Sequence, residues 1–123
     1  MTGDRQLKAG PGWRLGWNPA APQFVGLVGN DDWAVELTAT EFADFCRLLG
    51  QLTEAVAAIA SELMPDEKIA CEVESDRLWL GAEGYATAYA VRFVLLGDRG
   101  AEGLWPPAVV PHLLQASRAI GLF

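Results

Sequence analysis

A single long helix is written into the middle of the chain. Thr38-Ala39-Thr40-Glu41 has the T-x-x-E form of a capping box, in which the threonine hydroxyl accepts from a free helix N–H and the glutamate reaches back. From Phe42 the apolar residues recur as Phe45, Cys46, Leu49, Leu52, Val56, Ile59 and Leu63, while Asp44, Arg47, Gln51, Glu54, Ala58 and Ser61 take the other side. Pro65 marks the end. A helix of about 24 residues is about 36 Å long, whereas a typical strand covers less than about 20 Å, so this one is expected to overhang any sheet it covers. Ala55, Ala57, Ala58 and Ala60 make its second half thin enough for another helix to approach closely.

Both flanks of this helix have a period of two. Trp13, Leu15 and Trp17 alternate with Arg14 and Gly16; after Asn18-Pro19 comes a short run, Gln23–Val28; and Trp33, Val35 and Leu37 follow the turn cluster Gly29-Asn30-Asp31-Asp32. Three strands are therefore expected before the helix. Beyond it, Ile69, Cys71 and Val73 alternate, Ser75-Asp76 turns, and Arg77–Gly81 and Ala86–Leu96 read as strands joined through Ala82-Glu83-Gly84-Tyr85. Gly97-Asp98-Arg99-Gly100 turns the chain again, and a short strand includes Gly103-Leu104-Trp105. A second helix starts between Pro106 and Pro111, carries Leu113, Leu114, Ser117 and Ile120 as its stripe, and is capped by Gly121 with Leu122 behind it.

The order is thus one unit stated twice, strands then helix, which predicts an α+β fold of two repeats of antiparallel strands each followed by a helix. Residues 1–11 lack any period and read as a flexible N-terminal arm; residues 12–123 read as a single α+β domain with pseudo-repeats 12–64 and 67–123. At 123 residues the chain has one domain's length, and its 51% hydrophobic content predicts an ordered core.

Sixteen acidic residues against nine basic give a formal net charge of −7, an average field that repels phosphate backbones without excluding a local basic patch. No apolar run is long enough to span a membrane and no secretory leader precedes the domain, so a cytoplasmic protein is expected. Cys46 and Cys71, both among apolar positions, are then free buried thiols.

Catalytic chemistry finds little to work with. The one histidine, His112, lies between Pro111 and Leu113-Leu114 and reads as a partly buried structural residue. No C-x-x-C or H-x-x-x-H pair suggests a metal, and the acidic pairs Asp31-Asp32 and Asp66-Glu67 fall where turns are expected. Gly10-Pro11-Gly12 and Gly26-Leu27-Val28-Gly29 lack the spacing of phosphate-binding loops. No catalytic residue, metal or cofactor is expected, and the protein is read as non-enzymatic.

Recognition is better represented, because aromatic and cationic side chains share strands. Arg14 lies between Trp13 and Trp17, Arg77 precedes Trp79, and Tyr89 and Phe93 bracket Arg92; single-stranded nucleic acid is bound by such residues displayed on a sheet. Trp13, Trp17 and Trp33, however, share the phase of Leu15, Val35 and Leu37 and are assigned to packing. Arg14, Arg77 and Arg92 are expected to share an outer face with Glu36, Glu72 and Glu74, where cross-strand ion pairs would neutralise them.

From Gly12-Trp13-Arg14-Leu15-Gly16-Trp17 through Trp33-Ala34-Val35-Glu36-Leu37-Thr38 to Leu104-Trp105-Pro106-Pro107, the chain resembles a family of uncharacterised cyanobacterial proteins, the domain of unknown function eighteen-eighteen. That resemblance implies a fold similar to the Whirly-type single-stranded-DNA-binding transcriptional regulators, built from two copies of a sheet followed by a helix. In those regulators the sheets present aromatic and basic residues to the strand and the helices pack together.

Two functions are carried forward. One is a single-stranded nucleic-acid-binding or transcription-associated domain using Arg14, Arg77, Trp79 and Arg92, which requires a coherent positive patch. The other is an acidic protein-interaction module, self-associating or with another protein partner, motivated by the Ala-rich half of the helix and the acidic surface. Neither calls for a membrane.

Overall fold

The computed structural model describes residues 5–120. The chain runs β1 (Gln6–Gly10), β2 (Trp13–Trp17), β3 (Gly26–Gly29), β4 (Ala34–Leu37), α1 (Ala39–Ala60), β5 (Lys68–Glu74), β6 (Leu78–Tyr85), β7 (Ala88–Leu95), β8 (Ala101–Trp105) and α2 (Val110–Ala119). The strands form two antiparallel meanders, β1-β2-β3-β4 and β5-β6-β7-β8. Each half is thus four strands and a helix, a closer repeat than the sequence periods imply.

The capping box forms as expected: the Thr38 hydroxyl accepts from the Glu41 N–H at 3.2 Å, and the Glu41 carboxylate accepts from the Thr38 N–H at 2.9 Å. The helix is 22 residues long and closes at Ala60 through tight i→i+3 turns, with Glu62 and Leu63 N–H groups donating to Ile59 and Ala60 carbonyls. Phe42, Phe45, Leu48, Leu49, Leu52 and Val56 bury its inner face against strands of both sheets. Its second half overhangs: Ala55, Ala57, Ala58 and Ala60 are exposed.

Gln6–Gly10 is an edge strand, where the sequence reads a flexible arm. Pro11-Gly12 makes a two-residue turn onto β2, with Gly12 at φ +83 supplying the left-handed conformation. No period reveals β1 because its one large apolar residue, Leu7, points outward and is 63% exposed. The segment Ala82–Tyr85, expected to connect two strands, instead completes β6; the reversal is at Ala86-Thr87, with Tyr85 paired to Ala88. Neither turn residue has positive φ, so no glycine or asparagine marks the turn.

The third strand starts at Gly26, three residues later than expected, because Asn18 N–H donates to Val25 C=O at 2.7 Å and closes the preceding segment as a loop. Arg77 precedes β6 and lies in the turn. His112 is exposed, since Val110 and Leu113 occupy the buried stripe of α2 and the residue between them is turned away. The expected Gly121 cap and its partner Leu122 lie outside the described residues.

The sheets meet around Trp105, which is fully buried and donates its indole N–H to the Gly29 carbonyl at 2.9 Å. Trp33 stacks on Phe93 and tilts against Trp105, with centroids at 6.4 and 5.0 Å, and Trp17 lies 5.8 Å from Phe42. The Trp33 indole covers Gly103, where a Cβ would have no room. Trp13, Trp17 and Trp33 therefore pack against the core, as their phase predicts. Among the described residues no helix is long and apolar enough to cross a membrane.

Candidate recognition surface

The four residues singled out from the sequence do not converge. Strand alternation with buried Leu15 puts Arg14 on the outer face of the first sheet, and its Nε is buried without a hydrogen-bond partner among the described residues. Trp79 and Arg92 project from the outer face of the second sheet, opposite to buried Leu78, Leu80, Val91 and Phe93.

Arg77 belongs to neither face. Its Nη1 lies 3.2 Å from Oδ2 of Asp44, a buried carboxylate on α1 that also accepts from the Ser75 hydroxyl at 2.8 Å and from Arg47 at 3.2 Å. Burial pushes the Asp44 carboxyl up, but the hydrogen bonds from Ser75, Arg47 and Arg77 outweigh it and hold it below the ordinary value. Arg77 is thus a tie between α1 and the β5–β6 turn. The sequence could not show this, because Asp44 precedes it by 33 residues.

The outer face of the second sheet has a defined centre. The six-membered ring of Trp79 lies over Gly81, where any side chain would collide with it, and the indole N–H donates to Glu72 at 3.3 Å. Gly81 is flanked by Glu72 on β5 and Arg92 on β7, with Leu104 beyond on β8; Trp79 is flanked by Glu74 and Val94, then Glu102. Glu83 and Tyr85 continue the same face of β6. Tyr85 and Leu104 are 39% and 43% exposed. Four carboxylates (Glu72, Glu74, Glu83, Glu102) thus share this face with two cations, Lys68 and Arg92. Both signs are present with the balance acidic, but among the described residues none of the expected cross-strand ion pairs forms, because Arg14 lies on the other sheet, Arg77 is held by Asp44 and Arg92 has no carboxylate within salt-bridge distance.

On the first sheet, Leu7, Gly16 and Leu27 floor a cleft of about 210 Å³ with Phe24, Arg5 and Glu36 among its walls. Arg99 closes the neighbouring corner: it donates to Glu41 at 2.8 Å and to the Glu36 carbonyl, and sits 4.6 Å from the Phe24 ring centre. Burial raises the Glu41 carboxyl, and the hydrogen bonds from Thr38 and Arg99 bring it below its usual value. Among the described residues no three His, Cys, Asp or Glu side chains come together as metal ligands. Cys46 and Cys71 are both free; burial pushes the Cys46 thiol up to about 12.

A crystal structure of a protein of unknown function from Prochlorococcus sp. NATL2A, described as from the DUF155 family, is similar to this chain with a TM-score of 0.88 and 29% identity. The similarity covers 94% of this chain and 98% of that one. No curated protein matches the sequence. Residues 8–120 match the family described as Domain of unknown function (DUF1818), and the chain belongs to that family.

Proposed function

We propose that the protein is a non-enzymatic interaction module whose outer face on the second sheet docks a cationic protein segment. The observation that carries this reading is the Trp79 indole, seated over Gly81 on a face that also carries Glu72, Glu74, Glu83 and Glu102. An aromatic plane attracts a lysine or arginine head group through its quadrupole, and the surrounding carboxylates add a favourable field. Tyr85 and Leu104 supply exposed apolar surface beside it. Fluorescence anisotropy with a Lys/Arg-rich peptide and an Asp/Glu-rich peptide of equal length tests the reading. Binding of the basic peptide alone, lost in Trp79→Ala, is the expected result; equal failure of both peptides overturns it.

A second reading, single-stranded nucleic-acid binding, draws on Arg92 beside Trp79 on an exposed sheet and on the twice-repeated sheet-and-helix order that the Whirly-like resemblance implies. Its difficulty is electrostatic, since a phosphate track needs several cations and the outer face is acidic in balance. Binding of fluorescent oligo(dT) and a matched RNA across a salt series separates the readings. Affinity that falls steeply with salt and is lost in Arg92→Glu supports the nucleic-acid reading.

A further inference from the structure

We propose that two copies of this chain pair through β5, antiparallel about a two-fold axis at Cys71, and join their second sheets into one of eight strands. An open strand edge presents unpaired N–H and C=O groups and is a template for another strand unless blocked. Two of the four sheet edges here carry such blocks: Arg99 donates to the Glu36 carbonyl on β4, and Asn30 donates to the Leu104 carbonyl on β8 at 3.5 Å. The third, β1, offers five residues and runs straight into the Pro11 turn. β5 is a seven-residue edge without proline, and among the described residues no side chain hydrogen-bonds to its backbone.

The strand is complementary to itself. Pairing about Cys71 sets Lys68 of one copy opposite Glu74 of the other, twice by symmetry, and sets Ile69 opposite Val73. A register centred on Glu72 would instead put two carboxylates face to face. Lys68, Glu72 and Glu74 are all exposed in the single chain.

The helix above the strand fits the same axis. α1 packs on β5 and β6, so with strands about 4.8 Å apart the two helices of a joined sheet would lie about 10 Å apart, a separation that favours small contact residues. Cys46 and Thr53 face clefts shared with α2. At about 100° per residue, Gln51, Ala55, Ala58 and Glu62 lie on the opposite flank, the flank of Asp44, which reaches Ser75 at the end of β5. Ala55 and Ala58 are exposed there. The overhanging Ala-rich half is then the place where the helices meet.

The pairing runs through the backbone of the β5 edge, and its Lys68–Glu74 pairs lie on the Trp79 face; it is read from chain mass, whereas the cationic-partner reading is read from peptide binding and Trp79→Ala, so each fails separately. Sedimentation equilibrium tests it on the full chain, with circular dichroism to verify that each variant is folded. The wild type is expected to give twice the chain mass at high concentration; Lys68→Glu and Glu74→Lys each weaken dimerisation by about tenfold, and the double exchange restores it. A monomer at every concentration, or a dimer indifferent to both single exchanges, overturns the proposal.

Discussion

Arg77 and Asp44 are joined across 3.2 Å although one belongs to a hairpin turn and the other to a helix. The pair orients α1 on the second sheet, with Ser75 and Arg47 as the remaining donors to the same carboxylate. Removing the carboxylate leaves the part-buried Ser75 hydroxyl without its acceptor, while Arg47 and Arg77 are about half exposed and turn to water, so Asp44→Ala is expected to cost about 1–2 kcal/mol in urea unfolding. Arg77 is 46% exposed, and Arg77→Ala should cost only about 0.5 kcal/mol. Affinity for any ligand of the outer sheet face should be unchanged in Arg77→Ala, since its guanidinium is directed to the helix.

Acid sensitivity follows from the same carboxylate. Asp44 and Glu41 both titrate below their ordinary values in the folded chain, so the unfolded chain binds protons more readily than the folded one. Their contribution is complete above the unfolded values, near pH 4, and is lost as pH falls through the lower folded values. Stability measured by urea midpoint from pH 7 to pH 2 should therefore fall on the acid side, with a shallower fall in Asp44→Asn. Equal slopes in the two proteins would exclude Asp44 as a source.

The regular periods of this sequence report burial, and they succeed where burial is one-sided. The capping box at Thr38, the helical stripe from Phe42 and the core phase of Trp13, Trp17 and Trp33 all have that character. β1 escaped because an edge strand with Leu7 exposed shows no apolar alternation, and the Ala86-Thr87 turn escaped because its backbone needs no special residue. The candidate surface was legible only residue by residue. Strand phase assigns Arg14 and Arg92 to an outer face, where both lie, but the relation of Arg92 to Trp79 through Gly81 depends on strand register, and the capture of Arg77 by Asp44 depends on tertiary contact.

The contact of Trp33 with Gly103 sets a strict size limit where the two sheets meet. Gly103→Ala must push the indole off Phe93 and Trp105 or displace β8, at a cost of about 1–3 kcal/mol. The expected signature is a lowered urea midpoint together with changed near-ultraviolet circular dichroism. Gly50→Ala is the control, because a Cβ there meets nothing within 4 Å and a helix-interior alanine is favoured over glycine by about 1 kcal/mol.

The two thiols should differ sharply in reactivity. Cys46 is 8% exposed on the inner side of α1, and its thiol is pushed up to about 12, so almost no thiolate exists at pH 8. Cys71, half-buried on the edge strand β5, is within reach of a reagent that approaches the open edge. At a chain concentration too low for pairing through β5, labelling with a thiol-specific disulfide reagent at pH 8 is expected to be fast at one site and absent in Cys71→Ser until denaturant is added. Prompt labelling of Cys46 in the native Cys71→Ser protein would mean that α1 lifts from the sheet on the labelling timescale, and the same motion would expose Asp44 and break its tie to Arg77.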